Sequence, residues 1–245
     1  MKDHNYLAQT QLLDFQSQSI QDLIHARNWQ DLTEHDKIGA AYTFVQNEIK
    51  FGYNRADNTP ASNVLKDGYG QCNTKGTLLM ALLRALNIAC RLHGFTIKKS
   101  LQRGVVPELV YAIAPNSILH SWVEVNYQDK WINLEGFILD TPFLEQLQQE
   151  FAGQSSICAY GAGTDCLEDP KVDWNGTDTY IQRTGINKDF GLFDSPDQFY
   201  ANHKQAFSPL KNWLYQHVIR HWMNKRVEKL RQGIIPSIPT KKGAH

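Results

Sequence analysis

The stretch that decides the fold is Gly68-Tyr69-Gly70-Gln71-Cys72-Asn73-Thr74-Lys75-Gly76-Thr77-Leu78-Leu79-Met80-Ala81-Leu82-Leu83-Arg84-Ala85-Leu86. Its two glycines predict a tight loop directly before Cys72. After the loop, leucines recur at steps of three and four residues, which is typical of a buried helix face. The sequence therefore predicts that Cys72 lies in the first turn of a buried helix.

The predicted position of Cys72 has chemical consequences. A helix N-terminus carries unpaired backbone N–H groups and the positive end of the helix dipole, and both favour an anion such as a thiolate. The alternative is a small buried cysteine in a core helix, because free cysteine is among the most buried residue types. Two later segments favour the reactive thiol.

The first of these segments is Leu119-His120-Ser121-Trp122-Val123-Glu124-Val125-Asn126-Tyr127, in which large and polar residues alternate as in a strand. Residues 128–130 predict a short turn, and residues 131–135 predict the return strand. His120 begins this hairpin and Glu135 ends it, so we expect the two side chains to be hydrogen-bonded neighbours. A lone histidine at a strand start is usually just a half-exposed polar residue. Together with Cys72, however, the pair supplies a nucleophile, a base and an orienting carboxylate.

These residues carry a family resemblance. Gly70-Gln71-Cys72, the leucine-rich helix, and the segments 120–125 and 131–135 together resemble the core of the transglutaminase-like superfamily of cysteine enzymes. The resemblance covers residues 36–140. It implies an α+β, papain-like fold in which the cysteine helix packs on an antiparallel β-sheet, with extra helices at both ends. It also implies that Cys72 is the nucleophile, His120 the base and Glu135 the third member of a catalytic triad.

Glu135 departs from the family pattern, because the family usually has aspartate at this position. Glutamate is one methylene longer, so its carboxylate must sit further back to reach the same imidazole nitrogen. Asp140 is the alternative third member, but it lies five residues further along the chain. We expect an acid at a strand end to contribute little to core packing.

The chemistry also needs hydrogen-bond donors for a developing oxyanion. The backbone N–H of Cys72 is the natural first donor because it lies at a helix start. The side chain of Gln71 and the hydroxyl of Tyr53 are the candidates for the second donor.

The composition of the chain argues against other classes of protein. The chain has 245 residues, 42% hydrophobic and 11% aromatic, which suits a globular core. It has no apolar run near the 18 or more residues of a membrane span, and residues 1–6 lack the apolar core of a secretion signal. The four cysteines are Cys72, Cys90, Cys158 and Cys166, and they show no metal-ligand spacing. We therefore expect a cytoplasmic protein with free thiols, no metal and no cofactor.

The zero net charge hides an asymmetry. Residues 204–245 contain nine Lys or Arg and one Glu, whereas residues 135–200 are rich in acids. We expect these two regions to face each other within the fold, so the basic segment does not indicate a nucleic-acid partner.

The expected domain organisation follows from the family resemblance and from the pattern of apolar and polar residues along the chain. We expect a transglutaminase-like domain over residues 1–205, with its core at about 36–140 and an insertion at 141–205. Residues 152–195, rich in Gly, Asp and Thr, are either a binding lid or a decoration that covers the sheet. Residues 109–113 predict a strand. Residues 206–233 predict a basic amphipathic helix, which packs on the domain or else binds a membrane surface, and residues 234–245 a loose tail.

The predicted reaction is acyl transfer through a thioester on Cys72. The substrate would be a peptide, a protein or a small amide or ester, and the expected enzyme is a cysteine protease or amidase. Two alternatives stay open. One is an amine-accepting transferase of the transglutaminase or N-acyltransferase type, and the other is a catalytically silent binding module.

Overall fold

The computed structural model describes residues 5–204, 208–236 and 238. Within these residues the α-helices are α1 (Gln18–Ala26), α2 (Glu34–Asn47), α3 (Ala61–Asp67), α4 (Cys72–Ala85), α5 (Glu108–Ile113), α6 (Thr141–Glu150), α7 (Pro196–Asn202), α8 (Pro209–Leu214) and α9 (Arg220–Arg231). The strands are β1 (Lys50–Phe51), β2 (Tyr69–Gly70), β3 (Cys90–Lys98), β4 (Ser117–Tyr127), β5 (Lys130–Leu134), β6 (Ile157–Ala159), β7 (Ala162–Thr164) and β8 (Ile186–Phe193). No helix in the described ranges is long and apolar enough to cross a membrane.

The main sheet has four antiparallel strands in the order β5-β4-β3-β8. β4 and β5 form the predicted hairpin, which turns at Gln128 and Asp129 with φ angles of 50° and 61°. β4 begins at Ser117, earlier than the alternation of residue types indicated, so His120 lies inside the strand and pairs with Phe95 of β3. The helix α4 packs against β4. The predicted α+β fold, with the cysteine helix on an antiparallel sheet, is confirmed.

The helix α4 lies at the centre of the core. Leu78, Leu79, Leu82 and Leu83 are fully buried, as their spacing predicted. Each such leucine stabilises the fold by about 1.5–3 kcal/mol relative to an exposed one. The helix is therefore held rigidly, and so is the residue at its N-terminus.

Residues 109–113 do not form the predicted strand. They belong to the short helix α5, which follows Pro107 and has no buried residue. In the sheet, β3 pairs with β4 on one side and with β8 on the other, so no position next to β3 is left for this segment. The apolar residues that suggested a strand, such as Leu109 and Ile113, are instead exposed to solvent.

Residues 141–204, which are the described part of the predicted insertion and are called the insertion below, add secondary structure that the sequence did not predict. The insertion contributes the edge strand β8 and the β6–β7 hairpin. It also crosses the end of β5, where Leu134 and Thr179 form an isolated parallel bridge. The insertion therefore reaches the chain segment that carries Glu135.

The C-terminal helix is one helical run interrupted by a π turn. It consists of α8, the π-helical residues Tyr215–Ile219, and α9. Met223, Val227 and Leu230 are buried against the core, and Asn224 exchanges hydrogen bonds with the backbone of Tyr53. Residues 206–207 of the predicted helix, and residues 237 and 239–245 of the predicted tail, lie outside the described residues. In the described part of the tail, the carbonyl of Pro236 accepts a hydrogen bond from Tyr160.

An ion pair joins this helix to the rest of the domain. Arg231 binds both carboxylate oxygens of Asp140, with Nε to Oδ1 at 2.8 Å and Nη2 to Oδ2 at 2.6 Å. The two side chains are only 10% and 2% exposed. The pair links the basic C-terminal segment to the acidic region, as the charge pattern indicated.

We propose that the C-terminal helix and the domain fold as one unit, and Arg231→Ala tests this. The variant leaves Asp140 buried without its cation, so we expect the free energy of unfolding to fall by about 3–5 kcal/mol. The control is Arg27→Ala, since the Arg27–Glu48 pair is 42% and 47% exposed and should contribute only about 0–1 kcal/mol. Denaturant unfolding measures both variants. Equal, small losses would show that the helix is peripheral.

Because Lys75 is buried, we expect the free energy of unfolding to depend on pH. Lys75 is fully buried in α4, and its Nζ donates hydrogen bonds to the carbonyls of Gln46 and Ile138. Burial lowers the pKa of Lys75 from 10.5 to about 7, although the charge of Asp140 opposes the shift. Between these two values the unfolded chain binds the proton and the folded chain does not, so stability from this position rises with pH.

The experiment compares the protein with Lys75→Met at pH 7 and at pH 9.5. We expect the free energy of unfolding of the protein, relative to the variant, to rise by about 2–3 kcal/mol between the two pH values. Taking the difference cancels other titrating groups that the two proteins share. A difference that stays constant with pH would show that burial does not change the proton affinity of Lys75.

Candidate active site

The loop before α4 brings the backbone into close contact with the helix. At Gly70 a Cβ atom would lie 2.7 Å from Thr74 Oγ1 and 2.9 Å from Lys75 Cγ, so only glycine fits. Gln71 is extended, and its N–H donates to Thr74 Oγ1 at 3.1 Å. Cys72 is the first residue of α4, as predicted, and is 9% exposed.

Asn73 fastens the start of α4 to β4. Its Nδ2 donates to the carbonyl of Leu119 at 3.2 Å, and its Oδ1 accepts from the hydroxyl of Ser121 at 3.0 Å. These two residues flank His120 in the sequence. A single buried amide therefore fixes the positions of Cys72 and His120 relative to each other.

His120 is fully buried between two partners. Its Nε2 lies 2.8 Å from Glu135 Oε1. Its Nδ1 is buried and makes no hydrogen bond of good geometry to any residue that the structure describes. Since Nε2 is engaged by Glu135, Nδ1 is the nitrogen left for Cys72. Burial of the ring lowers its proton affinity, but the charge and hydrogen bonding of Cys72 and Glu135 outweigh this and raise the pKa of His120 to about 10.

Glu135 is fully buried and accepts three hydrogen bonds. One involves His120, and Oε2 accepts the other two, from the backbone N–H groups of Ile181 and Gln182, both at 3.0 Å. The expectation that this strand-end acid contributes little to packing is therefore wrong, because the insertion covers it completely. Asp140 lies elsewhere, bound to Arg231 and to the N–H of Phe51.

The two predicted oxyanion donors differ in their surroundings. The Oε1 of Gln71 accepts from the N–H of Asn54 at 2.9 Å, and its Nε2 donates to Asp57 Oδ1 at 3.0 Å. Tyr53 is buried and lies near Cys72. Burial raises the pKa of the Tyr53 hydroxyl well above 10, and the charges of Tyr215 and Cys72 add to this.

Cys72 opens onto a cavity of about 520 Å³. Its walls come from the segment 97–119, from the C-terminal helix, from the loop 51–58 and from parts of the insertion. The sequence did not point to two of its polar lining residues, Asp57 and Tyr200, because neither lies in a recognisable motif. Among the described residues, no group of three or more His, Cys, Asp or Glu side chains could hold a metal ion.

Comparison with known proteins supports the core. Residues 25–136 match the family model described as the transglutaminase-like superfamily. A solved structure named "putative cysteine protease", from Cytophaga hutchinsonii, is 12% identical, with a TM-score of 0.44. The match covers 79% of this chain and 47% of that one, so this chain spans about half the length of that protein. A search of curated proteins returned no match. Over residues 25–136, which include Cys72, His120 and Glu135, the chain resembles the transglutaminase-like superfamily of thiol-dependent enzymes.

Proposed function

We propose that the protein is a cysteine amidase or protease that cleaves its substrate through a thioester on Cys72. The observation that supports this most is the buried His120, with Glu135 on Nε2 and with Nδ1 left for a thiol that opens onto a cavity. A nucleophile, a base and an orienting acid in this order form the catalytic arrangement of cysteine hydrolases.

The first step is attack on the substrate carbonyl. His120 holds the proton as an imidazolium, which agrees with its raised pKa, and the Cys72 thiolate attacks the carbonyl carbon. The carbonyl oxygen becomes an oxyanion and needs preorganised donors. The N–H of Cys72, free at the helix start, is the first donor. Tyr53 is the better candidate for the second, since the amide of Gln71 is already bound to Asn54 and Asp57.

The second step releases the products. The tetrahedral intermediate collapses, His120 gives its proton to the leaving amine or alcohol, and a thioester remains on Cys72. Water then attacks the thioester while His120 accepts its proton, and the acid product leaves as the thiolate re-forms. Glu135 keeps the Nε2 proton in place throughout and stabilises the charge of the ring.

The alternatives share parts of this scheme. An amine-accepting transferase uses the same thioester and differs only in the attacking nucleophile. A silent binding module would keep the residues without using them, but the buried His120, with Glu135 on Nε2 and Nδ1 left for Cys72, favours catalysis. We propose a cytoplasmic, reducing location because all four cysteines are free.

Thiol reactivity provides the first test. We expect Cys72 to react with iodoacetamide at pH 6 about ten times faster or more than Cys158 and Cys166, because an ordinary thiol is less than about 1% thiolate at that pH. Exposure alone predicts the opposite order, since those two cysteines are exposed and Cys72 is buried. Peptide mass spectrometry measures each rate. The control His120→Asn should remove the advantage of Cys72. If the exposed cysteines label as fast, Cys72 is not activated.

Trapping the acyl-enzyme tests the reaction itself. An activated ester such as p-nitrophenyl acetate should add one acetyl group to the protein, seen by intact mass, and Cys72→Ala should abolish it. We expect Glu135→Gln to slow acylation by about 10- to 100-fold, less than the roughly ten-thousand-fold loss in a serine protease, because a thiolate needs less help. Glu48→Gln, on the surface, is the matched control, and thermal melts check folding.

The products then separate the classes of enzyme. With a primary alkylamine added, a hydrolase still releases mainly the free acid. A product that is mainly the amide would make the protein a transferase. If Cys72 passes the iodoacetamide test but no ester or amide acylates it, the proposed hydrolase is wrong.

A further inference from the structure

Asp57 is a partly buried carboxylate in the cavity that contains the Cys72 thiol. It accepts a hydrogen bond from Gln71 Nε2 at 3.0 Å. Burial raises the pKa of this carboxyl, although hydrogen bonds from Gln71 and Asn73 partly oppose the shift. Within the described ranges it has no cation as a partner. A carboxylate that is partly withdrawn from water and has no cation is destabilised, so this position favours a positively charged ligand.

Tyr200, on α7, presents a hydroxyl to the same place. The residue is 6% exposed, lines the cavity, and its hydroxyl makes no hydrogen bond of good geometry to the described residues. The hydroxyl of Ser121, whose proton goes to Asn73 Oδ1, lies near the phenol oxygen and partly opposes the rise in its pKa, but this contact falls short of a hydrogen bond of good geometry. Burial raises the pKa of Tyr200 well above 10, and the charges of Asp57 and Cys72 raise it further. Asp57, Tyr200 and Cys72 therefore line the same cavity.

The cavity also has cationic residues, but they lie in a different environment. Arg55, Lys204 and Lys211 line it and are exposed. The Nε of Arg55 donates to Gln216 Oε1. Water and salt screen exposed charges strongly, and they screen the partly buried Asp57 less. Asp57 is therefore the least screened of these four charges.

We propose that Asp57 and Tyr200 form a subsite for a primary ammonium group of the substrate, next to the carbonyl that Cys72 attacks. An ammonium has three N–H donors, and the carboxylate and the phenol oxygen can accept two of them. This inference rests on the proposed function, since it names the substrate class of the same site. If Asp57 only anchored the loop 53–60 to α4, its bond to Gln71 would be explained, but the unpartnered hydroxyl of Tyr200 would not.

The test uses thiol reagents that differ in charge, so it needs no known substrate. Methyl methanethiosulfonate is neutral, and 2-aminoethyl methanethiosulfonate carries a primary ammonium. In both cases the thiolate attacks the sulfenyl sulfur, a disulfide forms and methanesulfinate leaves. Rates at Cys72 are measured at pH 7 by peptide mass spectrometry and divided by the rates of 2-mercaptoethanol. We expect the protein to prefer the cationic reagent by about 10- to 100-fold, as for a hydrogen bond between charged groups.

Variants connect the preference to the subsite. Asp57→Asn should bring the cationic-to-neutral ratio close to that of 2-mercaptoethanol, and Tyr200→Phe should lower it about 3- to 10-fold. The control Glu108→Gln removes one carboxylate from the start of α5 and should leave the ratio unchanged. The proposal is overturned if Asp57→Asn does not alter the ratio. It is also overturned if Cys72 prefers the anionic 2-sulfonatoethyl reagent. If neither variant folds, a ratio near one for the unmodified protein still overturns it.

Two further experiments show whether the ammonium group lies on the acyl group or on the attacking nucleophile. If it lies on the acyl group, alanine p-nitrophenyl ester should acylate Cys72 faster than its N-acetyl derivative. If it lies on the nucleophile, the N-acetyl ester should acylate as fast, and an added alkylamine should accelerate release of the product. Acylation without any charge preference would refute only the subsite. Charge preference without acylation would refute only the proposed hydrolase.

Discussion

The geometry of the site depends on the carboxylate of Glu135. It accepts one hydrogen bond from the His120 ring and two from the backbone of the insertion, at Ile181 and Gln182. Without this carboxylate, three buried N–H donors would lose their partner, and each unmet donor costs about 1–3 kcal/mol. The same group therefore orients the His120 ring and holds the insertion against the core. The geometry of the candidate site and folding are coupled at this residue.

The parts of the site that the sequence predicted are those set by local structure. The loop and the leucine spacing placed Cys72 at a helix N-terminus, and the hairpin brought His120 and Glu135 together. The donors from Ile181 and Gln182 were not predictable, because a backbone N–H leaves no signal in the residue type. The helix at 109–113 was mistaken for a strand for a related reason. Whether such a segment pairs depends on the strands that the rest of the chain supplies, and the place next to β3 is taken by β8 from a distant part of the chain.

The chemistry and the shape of the cavity come from different parts of the chain. Cys72, His120 and Glu135 all lie within residues 25–136, which match the family model. Much of the cavity wall lies beyond that range, for example at Gln182, Tyr200 and Tyr215. Asp57 is within the range, but Tyr200, which lines the same cavity, comes from α7, which packs on β3 and β8. The proposed reaction class therefore rests on local motifs, whereas the shape of the cavity depends on the complete fold.

The position at which the chain departs from the family pattern is also the position at which the insertion docks. The N–H of Glu135 donates to the carbonyl of Thr179 at 3.1 Å, and Leu134 and Thr179 form a bridge. The insertion therefore runs beside the end of β5 and buries the carboxylate there. The extra methylene of glutamate lets this carboxylate reach His120 with Oε1 while Oε2 accepts from the next turn of the insertion. Aspartate would shorten that reach, so glutamate fits a site in which one carboxylate serves both the core and the insertion.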